Sequence, residues 1–591
     1  MGIGARGRFG SFNRGDLRGV FVLMAAVSVA ALVVGTGTVD AQQAGSYNGV
    51  QPRTPVVQIP AGGEMRNFTL VGQNPLIDPQ MGIPRSMNGG IAAKDNCVYI
   101  GSNIGMQPDL VVDVSDPTNP TVVGPVPGWI QGKGNGIESL ETVPDLNLLA
   151  VSIRVSMSQN GILEGYDPPP ADANVGMLVY DVSDCRNPKV VGRWDVPNGQ
   201  IAHLHYMDLW RDPKNPSRVL ANVSFDSGTP DDGIDLRIVD LTGCPSNCNP
   251  TQVAEWGLSK QLEIPPSLDI PYDGGDFKPS TQTHDSTWTL DGTRMYLSQT
   301  NFGFMMLDTT ALGNGQPCDG SSPTSADGTG HCMTLLNTNV DNRLPPFGNQ
   351  VATVHGIVKI PGRPYVSLQH EGHSCPYGGI DFAYVGTQEG FAPGGPGTGL
   401  FRGDLFPRLV GTFGIPENNV DRCPKPGEAL LATSTPQKLG LDLLRNTKTV
   451  HNVLAFPHVE FATWYGGALR AIDTTDINSP FEAGYFFNKP APAVVWCQEQ
   501  TAVVKSCDDP VIGPDGRPTN DPQLTPPEPM ARSYPLVVNG YIMYSDEAMG
   551  LYILKYTGPH ADEIPTSGLC ISHNPNVVSP GFEPCPPYST Q

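Results

Sequence analysis

The sequence predicts an all-β fold: a seven-bladed β-propeller of four-stranded antiparallel blades with long, disulfide-stapled loops. Two patterns carry that expectation. The phrase Val-Val-Asp-Val-Ser-Asp-Pro-Thr-Asn-Pro at 111–120 returns at 179–188 as Val-Tyr-Asp-Val-Ser-Asp-Cys-Arg-Asn-Pro, and shorter copies carry Asp240, Asp308 and Asp473. Upstream of the copies runs a second apolar hairpin, as in Thr287 to Leu290, the turn Asp291-Gly292-Thr293, and Arg294 to Ser298. A repeat that cannot bury its own apolar face must stack on neighbours, and a four-stranded unit repeated around an axis is a propeller blade.

Each element of the unit has a local cause. An apolar, β-branched run such as Leu110-Val111-Val112 reads as a strand, and Thr121-Val122-Val123-Gly124 reads as the next. Between them, Asp and Ser side chains can accept from backbone amides two or three residues on, and Asn-Pro blocks continuation of helix or ladder. Units fall at 84–128, 134–197, 199–258, 281–338, 352–415, 448–487 and 531–557. The last ends at Tyr556 without a fourth strand, whereas Asn67 to Gly72 forms an unclaimed strand, so the N-terminal segment 42–83 is expected to complete that blade. Such a closure removes exposed edges.

Residues 1–41 read as a secretory signal, with Arg6, Arg8, Arg14 and Arg18 ahead of the apolar stretch Val20 to Val34 and a cleavage site near Ala41. The expected address is secreted, periplasmic or cell-surface, with no membrane span in the mature chain. Twelve cysteines suit an exported chain, and Cys244/Cys248, Cys318/Cys332, Cys497/Cys507 and Cys570/Cys585 have the spacing of local staples. A net charge of −22 without a Lys/Arg cluster in the mature chain argues against nucleic acid and anionic membrane as partners and points to a small-molecule substrate or an extracellular ligand. A Pro-rich insertion at 489–530 and a tail at 558–591 mark large loops.

The 11 histidines are not scattered. His205, His284, His355 and His451 stand at the start of the first strand in successive units, and Glu138 holds the matching place in the unit before them. First strands line a propeller's channel, so these residues are expected to form a ring about the axis. Four neutral imidazoles suit a transition-metal ion, with Fe or Cu favoured and Zn as the further candidate, and Glu138 is the expected orienting group or general base. The bland reading is architectural, each histidine bonding a neighbouring blade's backbone. His203 competes with His205 for its place. His370-Glu371-Gly372-His373 lies in a loop, away from any metalloprotease helix, and is expected at most to line the site's mouth. His331, His458, His560 and His573 read as exposed loop residues. The sequence contains neither a Gly-rich phosphate loop leading into a helix nor a Gly-x-Ser-x-Gly elbow.

The strings Leu-Val-Val-Asp-Val-Ser-Asp-Pro at 110–117, Leu-Arg-Ile-Val-Asp-Leu at 236–241 and Ala-Leu-Arg-Ala-Ile-Asp at 468–473 resemble the LVIVD repeat of exported bacterial and archaeal proteins. The likeness spans about 84–557 and implies a propeller and an exported address, with no common activity. That family also tends to place His-Asp or His-Asn ahead of first strands; His284-Asp285 and His451-Asn452 match, while His355-Gly356 and His205-Tyr206 keep only the histidine. Two functions follow. One is a secreted metalloenzyme, an oxidoreductase before a hydrolase, with His205, His284, His355 and His451 as ligands. The other is a non-catalytic extracellular scaffold that recognises a polymer or partner protein through its loops.

Overall fold

Seven antiparallel sheets of four strands follow one another around a ring in the computed structural model of the chain. The structure describes residues 63–77, 88–102, 108–128, 133–155, 174–197, 204–225, 234–258, 283–299, 303–316, 318, 332–337, 354–371, 378–392, 395–402, 407–415, 449–488, 530–547, 549–566 and 568–570. Residues 1–41, expected as a secretory signal, and all of the 489–530 insertion except Met530 lie outside these residues. Blade 1 runs from Asn88–Lys94 to Thr121–Pro125, blade 2 from Lys133–Val143 to Lys189–Asp195 and blade 3 from Leu204–Arg211 to Thr251–Trp256. Blade 4 runs from Thr283–Trp288 to Thr334–Asn337 and blade 5 from Val354–Lys359 to Arg408–Phe413, with an extra hairpin, Thr387–Ala392 and Gly395–Arg402, before its last strand. Blade 6 runs from Val453–Ala455 to Phe481–Phe487, and blade 7 begins at Leu536–Val538.

The ring closes with chain from its other end. Phe68–Asn74 pairs antiparallel with Gly550–Tyr556 as the fourth strand of blade 7. Just before it, Glu64–Arg66 adds a fifth strand to the edge of blade 6, which the sequence did not signal. One buried apolar cluster fills each of the seven interfaces between neighbouring blades, including the seam between blades 7 and 1. At the interface of blades 3 and 4, Trp210 and Trp288 stack with centroids 5.2 Å apart.

The repeated Asp sits where the third strand ends, and its chemistry is the same in each copy. Its Oδ1 accepts from the backbone N–H two residues on: Ser115 to Asp113 at 2.9 Å, Ser183 to Asp181 at 2.8 Å, Thr242 to Asp240 at 2.8 Å, Thr310 to Asp308 at 2.9 Å and Thr475 to Asp473 at 2.9 Å. These bonds specify the turn into the outer strand. In two copies the Gly within the outer strand then lies against the turn of the next blade. A Cβ at Gly72 would stand 2.0 Å from the Pro117 carbonyl oxygen, and one at Gly411 would stand 1.8 Å from that of Ile477.

Three disulfides close among the described residues. Cys244–Cys248 and Cys318–Cys332 are local staples, as their spacing suggested, while Cys97–Cys185 joins blade 1 to the turn of blade 2 across 88 residues. Such bonds persist in oxidising compartments. No helix among the described residues is long and apolar enough to cross a membrane.

Burial leaves a pH signature in blade 6. Glu460, fully enclosed, accepts from Ser367 Oγ of blade 5 at 3.0 Å, yet burial pushes its carboxyl up to about 8. A folded-state value above the unfolded one gives stability that is complete at low pH and is lost as pH rises from about 4.5 toward 8. Glu460→Gln is therefore expected to be near neutral at pH 5 and to stabilise by roughly 2–4 kcal/mol at pH 9. Urea titrations at the two pH values measure this, and equal effects at both would contradict it.

Candidate metal centre

The sequence places a histidine at the start of four inner strands, and local backbone irregularity turns each toward the axis. His205 is the extra residue of a bulge between the Leu204 and Tyr206 pairings, His284 of one between Thr283 and Asp285, and His355 of one between Val354 and Gly356. A bulged residue leaves the ladder and its side chain is re-aimed, which frees it from the in–out alternation of the strand. His451 stands just before its strand, its N–H on Thr463 O and the next carbonyl, Asn452 O, accepting from Thr463 N, both at 2.9 Å. Blade 7 carries Arg532 in the same place, since the N–H groups of Arg532 and Ser533 both approach Ser545 O.

A ring of hydroxyls fixes these irregular positions. Ser224 Oγ donates to His284 O at 2.7 Å, Ser298 Oγ to His355 O at 2.7 Å, Thr463 Oγ1 to Arg532 O at 3.1 Å and Ser545 Oγ to Gly89 O at 2.6 Å. In each case the second strand of one blade satisfies the carbonyl that the bulge takes out of the next blade's ladder. A buried carbonyl would otherwise lack a partner, so the hydroxyls hold the ring's geometry.

The four imidazoles lie in a row. Ring centroids are 4.2 Å apart from His205 to His284, 3.8 Å from His284 to His355 and 4.3 Å from His355 to His451. Two overlapping triads have all donor atoms within 4.8 Å of one another: His205, His284 and His355, and His355, Glu371 and His451. Glu371 reaches His355 Nε2 at 3.3 Å and His451 Nε2 at 3.6 Å, and the Tyr465 hydroxyl donates to its Oε1. His451 Nδ1 donates to Arg532 O at 2.7 Å, which orients the ring with Nε2 toward Glu371. Burial, and next the neighbouring His284, hold His355 well below the ordinary imidazole range, so it is neutral. His284 and Glu371 are partly exposed, whereas His355 and His451 are buried.

One residue deeper, the channel is plugged. Tyr206 and Tyr534 face each other across it with centroids 6.2 Å apart, and Tyr534 donates to Asp285 Oδ2 at 2.6 Å. Burial raises Asp285 to about 7 against the hydrogen bonds of Tyr534 and Tyr206, and raises Glu141 to about 8 against the Leu209 N–H, 2.7 Å from its Oε2. This plug explains why His355 is followed by Gly356 instead of Asp or Asn. A Cβ there would stand 2.5 Å from Gln369 Oε1, 3.2 Å from Asp285 Oδ2 and 3.3 Å from the Tyr534 hydroxyl.

The structure thus brings His205, His284, His355 and His451 together. Glu138 lies in the strand Lys133–Val143, inside the long bulge between Asn135 and Leu140, but its side chain is outside the described residues, as are His203, His373, His331 and His573. The His-Glu-Gly-His string splits: Glu371 joins the ring, while His370 faces the other way and binds Asp381 at 3.0 Å. His458 and His560, expected in exposed loops, are partly exposed, and their rings are 5.3 Å apart because the chain after blade 7 folds back onto blade 6. Sequence reasoning missed Tyr465 and Arg532 and undervalued Glu371. A signal exists in the second strand, where Gln369, Thr463 and Ser545 are each followed two residues later by a polar group facing the ring: Glu371, Tyr465 and Glu547, the last paired with Arg532 at 2.5 Å.

Neither a family model nor a curated protein matches the chain. Solved structures do. The Cps50 (Swd1) β-propeller domain of Myceliophteria thermophila is 10% identical with a TM-score of 0.38, covering 83% of this chain and 99% of that one. Sqt1 of Chaetomium thermophilum is 12% identical with a TM-score of 0.39, covering 84% and 100%. A functionally unknown protein of Desulfotomaculum acetoxidans is 12% identical with a TM-score of 0.35, covering 68% and 86%. The class, a seven-bladed β-propeller, rests on this chain's own strand pairing.

Proposed function

We propose that this chain is an exported propeller of the LVIVD-repeat type whose axial ring holds a transition-metal ion, Fe or Cu before Zn, at the centre of an oxidoreductase acting on a small molecule. The observation that carries the reading is the convergence of acceptors. The Nδ1 proton of His451 goes to Arg532 O, so its Nε2 and a Glu371 carboxylate oxygen face each other 3.6 Å apart. A cation placed between them is attracted to both. The neighbouring row of imidazoles is the donor set that first-row transition metals prefer, and ions bonded to nitrogen at ~2.0–2.1 Å accept donors at these spacings with small side-chain shifts.

Roles for the protein's own groups follow from position. His205, His284, His355 and His451 are the imidazole ligands. Glu371, anchored by Tyr465, is a further ligand or the base beside it, a place the sequence alone assigned to Glu138. The Tyr206–Asp285–Tyr534 plug closes the deep side against water, which leaves the rim at His284 and Glu371 for a substrate. A bound ion of this kind supplies Lewis acidity or one-electron chemistry.

Elemental analysis of purified protein is expected to find near-stoichiometric transition metal. His284→Ala combined with His451→Ala should remove it while circular dichroism and thermal unfolding stay those of a folded propeller. Protein that remains metal-free after reconstitution with each ion would sink the reading and leave the ring as architecture.

A further inference from the structure

We propose a second cation site, separate from the axial ring, in which His458, His560 and Glu563 bind Zn²⁺ and clip the segment after blade 7 to the turn between the first two strands of blade 6. His458 sits in the turn between Val453–Ala455 and Val459–Thr463, and the other two come from the short 3-10 turn Ala561–Glu563 and the residue before it. Their donor atoms all lie within 4.8 Å of one another. Glu563 Oε1 is 2.6 Å from His458 Nδ1 and 3.6 Å from His560 Nδ1, while its Oε2 accepts from the His458 backbone N–H at 3.0 Å. The carboxylate is thereby held with one oxygen on the two rings.

A second, independent feature points to a ligand. The far nitrogen of His560, Nε2, lies 2.9 Å from Thr475 Oγ1 and 3.4 Å from Asp473 Oδ2. In the tautomer whose proton lies on Nε2, that proton points to this pair and Nδ1 presents its lone pair to Glu563. This is the carboxylate–histidine–metal relay that fixes tautomer and ring orientation in metal sites. Asp473 is also the repeat's own turn residue, so the blade positions the relay. In that tautomer a cation placed between Nδ1 and the Glu563 carboxylate is attracted to both. Two imidazoles, one carboxylate and a solvent-facing fourth position make a tetrahedral set suited to Zn²⁺. Side-chain exposures of 42% at His458 and 29% at His560 leave a path for the ion. The clip would bear on blade 7 as well, because the same segment continues to Leu569–Cys570, which pairs with the inner strand Leu536–Val538.

The test uses the full chain carrying His284→Ala and His355→Ala, so that the axial ring does not compete. Titrated with ZnCl₂ against a chromophoric chelator, this protein should bind one equivalent, and Co²⁺ in its place should give the intense visible bands of a four-coordinate ion. His560→Gln or Glu563→Gln should weaken binding at least tenfold, and Asp473→Asn, one shell out, by about 10- to 100-fold. If the axial double variant does not fold, the wild type replaces it, and His560→Gln should lower the bound zinc by one equivalent. Zinc binding indifferent to His560→Gln, or absent from the folded background protein, would overturn the proposal.

Discussion

His355→Ala should cost more metal than any other single substitution in the ring. Its donor atoms belong to both triads, with His205 and His284 on one side and with Glu371 and His451 on the other. An ion held by either triad, or by both together, loses a ligand when His355 is cut back. Removing His205 leaves the second triad whole, and removing His451 leaves the first. Changes one shell out from a metal already cost about 10- to 100-fold in affinity, so loss of this shared ligand is expected to exceed ~100-fold, against a smaller loss for His205→Ala or His451→Ala. The fold should survive, because the bond that holds the bulge runs from Ser298 Oγ to the backbone carbonyl of residue 355. Competition with a calibrated chelator across the three variants measures the ranking. Equal losses would mean that no ligand is shared.

Glu371 separates a ligand from an orienting group. Glu371→Gln keeps an acceptor for the Tyr465 hydroxyl but removes the negative charge between His355 and His451. Its comparison with His355→Ala belongs to the same titration.

What the sequence disclosed about the fold was the part encoded locally. An Asp that accepts from the amide two residues on specifies its turn wherever it occurs, so five copies of that turn were readable one at a time. The histidine ring was legible for a related reason: His205, His284 and His355 share a bulge at one point of the unit, and His451 holds the matching place just before its strand. Features made by distant chain segments were not legible. Cys97 meets Cys185 across a blade interface, Glu64–Arg66 joins blade 6 from the far end of the chain, and His458 meets His560 only because the chain folds back. Glu371 fell between these cases. Its string read as a loop motif, because its meaning depends on the end of a second strand lying beside the next blade's bulge. Gly356 reads as a departure from the repeat in sequence and as space for Asp285 and Tyr534 in three dimensions.

The same contrast of local and neighbouring chain gives the largest expected effect on stability. Gly72 and Gly124 occupy one position of the repeat, each after an outer-strand bulge, and a sequence reader would treat them alike. A Cβ at Gly124 meets nothing within 4 Å, whereas at Gly72 it would stand 2.0 Å from the backbone oxygen of Pro117 and 3.2 Å from Pro120 Cδ. Backbone cannot swing aside as a side-chain tip does, so Gly72→Ala must push the turn of blade 1 away from the outer strand of blade 7. That is the seam where the ring closes, held also by Asn74 Nδ2 donating to Pro120 O at 2.7 Å and by the cluster of Leu76, Ile91, Val112 and Leu551. Opening it exposes strand edges and core together. Gly72→Ala is expected to destabilise by roughly 3 kcal/mol or more, and Gly124→Ala by less than about 0.5 kcal/mol. Urea unfolding followed by tryptophan fluorescence tests the pair. Equal behaviour would show that the turn of blade 1 does not bear on the closing strand, and the seam would then rest on strand pairing and the apolar cluster alone.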